Sequence, residues 1–197
     1  GRLAGYGSWK ELSGGASVQA GHFAIDQISK VIDKLCAQPF TRQAQMITWM
    51  PNLDLDCYDP PCLQSIWYRI LEDEQGAWWL NTNIRFRSND AWGANFMNLF
   101  GFTLFNRDIM LEGLRARTGR TIRMGRLNWQ ADSFHIYGKD LETARQRLFN
   151  RIGSTSLEDR TYRFGDETIQ AIYQEAEAAV RDKIRTHDED YALRQKH

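Results

Sequence analysis

The sequence predicts an α+β fold, a sheet covered by helices, on three observations. Between residues 22 and 36, Ile25, Ile28, Ile32 and Leu35 recur three or four apart, the period of an amphipathic helix. Over 77–87, Trp78, Leu80, Thr82, Ile84 and Phe86 alternate with Trp79, Asn81, Asn83, Arg85 and Arg87, the period of a strand with one face in a core. Long helix-like stretches and further extended segments follow, so that helices and strands occur together in one chain.

The elements are expected in the following order. The first helix ends before Pro39, because the residue preceding a proline is driven out of helical conformation. Residues 45–50 are short and apolar, and 65–71 mix aromatic and branched side chains, so both read as strands. Glu72-Asp73-Glu74-Gln75-Gly76 supplies the turn into the alternating strand. A helix is expected over 95–117, with Phe96, Leu99, Phe102, Thr103 and Phe105 near one side and Gly119 as its stop. Two extended pieces follow, 121–129 and 132–137; in the second, Phe134 and Ile136 face one way while His135 and Tyr137 face the other. Helices over 140–151 and 166–185 complete the pattern, the last with Ile169, Ile172, Tyr173, Ala176 and Val180 at helical spacing. Residues 13–17 and 153–156 are the flexible stretches, and 20–152 form one compact core.

Composition narrows the function classes. The 197 residues carry 25 Lys+Arg against 25 Asp+Glu, so the net charge is zero and the field that a general nucleic-acid binder needs is missing. Any bound anion should therefore be small. No apolar run approaches the roughly 20 residues of a membrane span, and the first residues lack a signal-peptide apolar region, so an intracellular, cytoplasmic protein is expected. Three cysteines, Cys36, Cys57 and Cys62, are too few for a disulfide framework, in keeping with a reducing compartment. Cys57 and Cys62 lack the second ligand pair that a zinc site requires, and no metal is expected.

Three segments combine side chains that packing alone does not demand. Cys62 follows Pro60-Pro61 and opens onto a strand; it reads either as a thiol nucleophile activated by cations or as a buried structural cysteine. Residues 87–98 gather Arg87, Ser88, Asp90 and the amides of Asn95 and Asn98 where a strand turns into a helix. Such a set can hold a phosphate and read the edge of a flat polar ring, or it can be a helix start capped by Ser88 or Asp90. His135 and Tyr137, two apart, can hydrogen-bond a sugar hydroxyl or can satisfy each other.

In this order and with these separations, the three segments resemble the thymidylate synthase and pyrimidine hydroxymethylase family. Pro60-Pro61-Cys62 resembles its nucleophile segment, 87–98 its phosphate-and-base segment, and Asp132 with His135-Ile136-Tyr137 its sugar-binding segment. Tyr6-Gly7-Ser8-Trp9, Asp26-Gln27-Ile28 and the stretch from Thr41-Arg42-Gln43 to Trp49 resemble three further family motifs. The resemblance spans about residues 5–140. It implies a thymidylate synthase-like α+β fold whose mixed sheet forms a dimer interface, with a catalytic core over 1–152 and a helical extension over 153–197. It also implies that Cys62 adds to C6 of a pyrimidine deoxynucleotide monophosphate, which makes C5 nucleophilic. Arg87 and Ser88 would grip the 5′-phosphate, Asn98 the base edge, and His135 and Tyr137 the 3′-hydroxyl. Asp90 would bind the pterin ring of 5,10-methylenetetrahydrofolate and share in catalysis, and Arg42 would reach the phosphate of a partner subunit in a homodimer. The amide of Asn98 suits uracil, so the implied reaction converts dUMP to dTMP.

The sequence also departs from the family. Leu63 stands where many members carry His, Trp67 where Gln is usual, and Gln43 in place of the second Arg of a pair, which removes one phosphate contact. The chain starts where the family's middle begins, so the N-terminal part that supplies another phosphate-binding Arg, a Glu and a folate-site Trp is expected to be absent. The C-terminal residues 194–197 are polar, where synthases carry a short apolar cap. Shielding from water decides whether the transferred carbon becomes a methyl or a hydroxymethyl group. Hydroxymethylation of dUMP or dCMP and a catalytically weakened nucleotide-binding role are therefore the alternatives. A thiol hydrolase pairing Cys62 with His135 lacks an evident oxyanion-donor turn.

Overall fold

A computed structural model describes residues 25–161, 163 and 165–194. The motif at 6–9, the stretch 13–17 and the last three residues lie outside the described residues. The chain divides into two compact units, Gly1–Glu142 and Thr143–His197.

The first unit is α+β, as its periodicities predict. Helix α1 (Gln27–Ala37) begins later than the sequence suggests, because the Asp26 carboxylate accepts the Ser29 N–H and fixes the N-terminus there. Ile25 consequently lies outside the helix and 54% exposed, while Val31, Ile32 and Leu35 enter the core. Next to Asp26, the Gln27 amide donates to Ile47 O and accepts from Ile47 N, both at 2.9 Å. It thereby satisfies the backbone of a strand that, among the described residues, lies at the edge of the sheet.

That edge strand, β1 (Ala44–Ile47), is shorter than expected. Pro51 starts a single helical turn, α2 (Pro51–Asp54), and the buried Asp54 carboxylate accepts the Met50 N–H at 2.6 Å, so the chain leaves the sheet before residue 50. Strands β2 (Leu63–Glu72), β3 (Trp78–Asp90) and β4 (Ile122–His135) complete a sheet of order β1-β2-β3-β4. The first two pairings are antiparallel and β3 with β4 is parallel, so the sheet is mixed.

Two expectations fail for one reason. The sequence ends β3 near residue 87 and splits β4 in two, yet β3 continues to Asp90 and β4 is unbroken. Their backbone groups pair with each other across more than forty residues of chain, and local pattern does not reveal such a partner. β4 does carry one irregularity, inside the first of the two expected pieces: a bulge in which Gly125 and Arg126 stand opposite Asn81 alone. There the Asn81 Oδ1 accepts the Arg126 N–H at 2.9 Å, and a Cβ on Gly125 would lie 2.8 Å from the Leu80 carbonyl oxygen.

Between β3 and β4 runs one helical stretch in three parts: α3 (Asn95–Phe105), a π-helical segment (Asn106–Leu111) and α4 (Glu112–Thr118), closed by left-handed Gly119. The expected apolar side is only partly buried: Phe96 is 70% exposed and Thr103 is exposed, while Phe102 and Phe105 pack against the core. The π segment widens the helix and brings Asn106, Met110 and Leu111 inward. Asn106, fully buried, accepts the Tyr68 hydroxyl at 2.8 Å and donates to Thr82 Oγ1 at 3.3 Å, which ties the helix to β2 and β3. Burial pushes the Tyr68 phenol up, so it stays protonated and donates. Around this link, α1, Leu114 of α4 and the inner faces of all four strands form the core. The other face of the sheet carries Ile47, Trp67, Leu71, Trp79, Asn83 and Arg85.

The second unit is helical. A 3-10 turn (Gly138–Asp140) in the first unit leads into α5 (Leu141–Ala144), followed by a π-helical segment (Arg145–Phe149) and α6 (Asn150–Ile152). Residues 153–156, expected to be flexible, form a turn in which Ser154 and Thr155 bond back to Arg151 O. Helix α7 (Glu167–Arg194) runs nine residues beyond its expected end; Ile172 and Val180 of its apolar stripe are exposed. Among the described residues, no helix is long and apolar enough to cross a membrane.

Two substitutions test this packing. Asn106→Leu leaves the buried Tyr68 hydroxyl without its acceptor and should cost about 2 kcal/mol or more, read as a lowered urea midpoint. Gly125→Ala drives a methyl group into the Leu80 carbonyl and should cost about 1–3 kcal/mol in the same assay.

Candidate functional site

Strand direction builds the site. Because β2 runs against β3, the start of β2 lies beside the end of β3, with Leu63 opposite Phe86. Because β4 runs with β3, both strands end together, with Ser88 opposite Ser133 and Asp90 opposite His135. Cys62, Arg87, Ser88, Asp90 and His135 therefore share one end of the sheet, although 73 positions separate Cys62 from His135.

At this end Pro60 and Pro61 offer carbonyls but no N–H groups. Arg87 takes up both: its Nη2 donates to Pro60 O at 2.6 Å and its Nε to Pro61 O at 3.1 Å. The Arg87 backbone N–H adds a bond to Cys62 O at 2.9 Å, and Gln64 Nε2 donates to Pro61 O at 3.1 Å. Cys62 itself is exposed, on a segment held by four hydrogen bonds. The alternative of a buried structural cysteine is excluded for it. Cys36, by contrast, is half-buried against the core, and burial pushes its thiol up. Arg87 is thus a clamp on the cysteine segment, a role that sequence reasoning had not assigned to it.

β3 ends at Asp90, and there the chain turns. Asp90 caps this turn rather than a helix, since α3 starts five residues later without a side-chain cap. The Gly93 and Trp92 backbone N–H groups, aided by His135 and Lys139, hold the Asp90 carboxyl below the usual carboxylate range. The turn closes so tightly that a Cβ on Gly93 would lie 2.5 Å from Asp90 Oδ2. An ionised carboxylate at the rim of the sheet end is an acceptor suited to the N–H groups of a flat heterocycle.

His135 and Tyr137 do lie together, although the strand ends between them. Their rings meet edge to face at 4.9 Å, and Ser133 Oγ lies 3.3 Å from His135 Nδ1. The expected alternation does not extend through residue 137, and Phe134 is 58% exposed. Asp132 is engaged elsewhere, in a two-pronged pair with Arg85 across the β3–β4 ladder at 2.9 Å.

Asn98 occupies the first turn of α3. Its Nδ2 donates to Asn89 Oδ1 at 3.4 Å, and Asn89 Nδ2 donates to Asn95 Oδ1 at 2.9 Å, forming a chain of three amides. Sequence reasoning gave no role to Asn89, which is 3% exposed; three asparagines within ten residues were the available signal. Arg42 is not brought to this group. It precedes β1, whose Ala44 lies opposite Tyr68, six residues and roughly 20 Å along β2 from Cys62. Its carbonyl accepts the Trp67 indole N–H at 2.8 Å, so the tryptophan that departs from the family pattern supports the Arg42 segment. Among the described residues, no group of three or more His, Cys, Asp or Glu could hold a metal ion.

Comparison with known proteins matches residues 6–173 to the family model for thymidylate synthase. Among curated proteins, two archaeal proteins named "Putative thymidylate synthase" are similar. That of Methanothermobacter marburgensis is 26% identical over 129 residues, covering 66% of this chain and 52% of that protein. That of Methanosarcina acetivorans is 32% identical over 116 residues, covering 59% and 48%. Among solved structures, thermostable thymidylate synthase A from Bacillus subtilis matches at 21% identity with a TM-score of 0.48, covering 66% of this chain and 42% of that one. The chain spans about half the length of the curated relatives it matches. With the family model matching most of its length, this chain belongs to the thymidylate synthase family.

Proposed function

We propose that this chain transfers a one-carbon unit from 5,10-methylenetetrahydrofolate to C5 of dUMP through a covalent Cys62 adduct, giving dTMP. The observation that carries the reading is the convergence of Cys62, Arg87, Ser88, Asp90 and His135 at one sheet end, with an exposed thiol on a segment clamped by Arg87.

The roles follow from what each group can do. The Cys62 thiolate adds to C6 of the uracil ring, and electron density moves to C5, which attacks the one-carbon unit. Arg87 holds the Pro60-Pro61-Cys62 segment so that the thiol meets the ring at a fixed position, and together with Ser88 it binds the 5′-phosphate. Asn98 pairs with the base edge, and His135 and Tyr137 hold the 3′-hydroxyl. Asp90, kept ionised by its turn, accepts N–H groups of the pterin ring. Loss of the C5 proton, with cleavage of the bond between the transferred carbon and the folate nitrogen, releases tetrahydrofolate and leaves an exocyclic methylene on the ring. Hydride from tetrahydrofolate converts it to a methyl group, and elimination of Cys62 releases dTMP and dihydrofolate. If water reached the methylene instead, the product would be the hydroxymethyl nucleotide.

The remoteness of Arg42 supports a homodimer in which it reaches the partner's phosphate. The sheet face carrying Ile47 (48% exposed), Leu71 (42% exposed), Trp67 and Trp79 offers the surface for that pairing. Three free cysteines agree with a reducing, cytoplasmic setting.

Incubation with dUMP and methylenetetrahydrofolate, followed by mass spectrometry of the nucleotide, tests the reaction. A methylated base is expected; a hydroxymethylated base would move the assignment to a hydroxymethylase, and nucleotide binding without product would reduce it to a binding-only relative. Cys62→Ala should abolish the covalent nucleotide adduct and lower turnover by about a thousandfold or more. Arg87→Lys replaces a fork by a point charge that cannot hold both proline carbonyls. It should lower kcat by about a hundredfold as the thiol loses its position, measured separately from nucleotide affinity.

A further inference from the structure

The chain Asn98–Asn89–Asn95 sets a direction for each amide. Asn89 presents Oδ1 to Asn98 and Nδ2 to Asn95. Turning the Asn98 amide over by itself would place its carbonyl oxygen against the Asn89 carbonyl oxygen. Asn89 is 97% buried, so water cannot repair that mismatch, and reversing one amide requires reversing all three. The oxygen and nitrogen positions of Asn98 are therefore coupled to a residue behind it.

This coupling bears on ring choice. A uracil ring presents an N3–H donor beside the O4 acceptor, whereas cytosine presents an N3 acceptor beside an N4 amino donor. An amide that pairs with both atoms must take opposite orientations for the two rings. We propose that Asn89 is the positioning residue that fixes the Asn98 amide in one orientation, and so sets the discrimination between uracil and cytosine nucleotides. This rests on the reading above that Asn98 meets the base edge, and it adds the residue through which that contact becomes selective.

The test is equilibrium binding of dUMP and of dCMP to the full chain by calorimetry, with folding of each variant checked by circular dichroism. The unmodified chain should prefer dUMP. Asn89→Leu removes both donor and acceptor, freeing the Asn98 amide to turn, and should bring the ratio of the two Kd values toward unity by about tenfold, the factor one mispaired hydrogen bond is worth. Asn89→Asp keeps an acceptor facing the Asn98 amino group and should retain the ratio. Equal weakening of both nucleotides by Asn89→Leu, with the ratio unchanged, would mean a merely structural role and overturn the proposal. Asn98→Ala separates the two levels of the argument. A ratio lost in Asn98→Ala but kept in Asn89→Leu refutes the role of Asn89 and leaves the base contact standing. A ratio unchanged in Asn98→Ala, or no discrimination by the unmodified chain, refutes both.

Discussion

The site depends on β3 having one neighbour that runs against it and another that runs with it. The antiparallel partner delivers the start of β2, and with it Cys62, to the end of β3. The parallel partner delivers the end of β4, and with it His135, to the same place. Reversing either direction would carry one segment to the far end of the sheet, tens of ångströms away. A parallel neighbour requires a crossover, and residues 91–121 supply it, built mainly from a helical stretch over 95–118 that contains a π segment. The buried Tyr68–Asn106–Thr82 link holds that crossover against β2 and β3, so a polar contact in the core constrains the strands that end at the candidate site.

On this frame Arg87 has a double task. A guanidinium at the end of β3 is a natural anion receptor, yet two of its nitrogens already hold the proline carbonyls ahead of the thiol. Under the proposed function, phosphate binding and thiol placement would be coupled through one side chain, so that a nucleotide engaging Arg87 would also meet a cysteine segment in register. Asp90 shows the same economy: the turn that holds it ionised leads into the helix that carries Asn98.

How much of this was legible depended on whether an interaction is local. The alternation of Trp78 to Phe86 exposed β3 because a core lies on one face, and Gly119 marked a helix end through its local left-handed turn, whereas the Asp26 cap that starts α1 went unread. The extension of β3 through Ser88–Asp90 was not legible, because its partners lie in β4, 45 positions downstream. The π segment was hidden for a different reason: its inserted residue shifts the phase of the apolar period, and a 3.6-residue template reads straight through it. At the site, residue types named Cys62, Asn98, His135 and Tyr137, and their order carried the family resemblance. The Arg87 clamp and the Asn98–Asn89–Asn95 chain were hidden, since a guanidinium or an amide in a sequence does not declare what it bonds.

The central claim is that three segments far apart in the chain form one nucleotide site. Hydrogen–deuterium exchange with and without dUMP tests it most directly. The account predicts simultaneous slowing of exchange at 60–64, 87–98 and 133–137, rising together with dUMP concentration. Protection confined to one of these segments, or arising elsewhere while all three exchange unchanged, would contradict it.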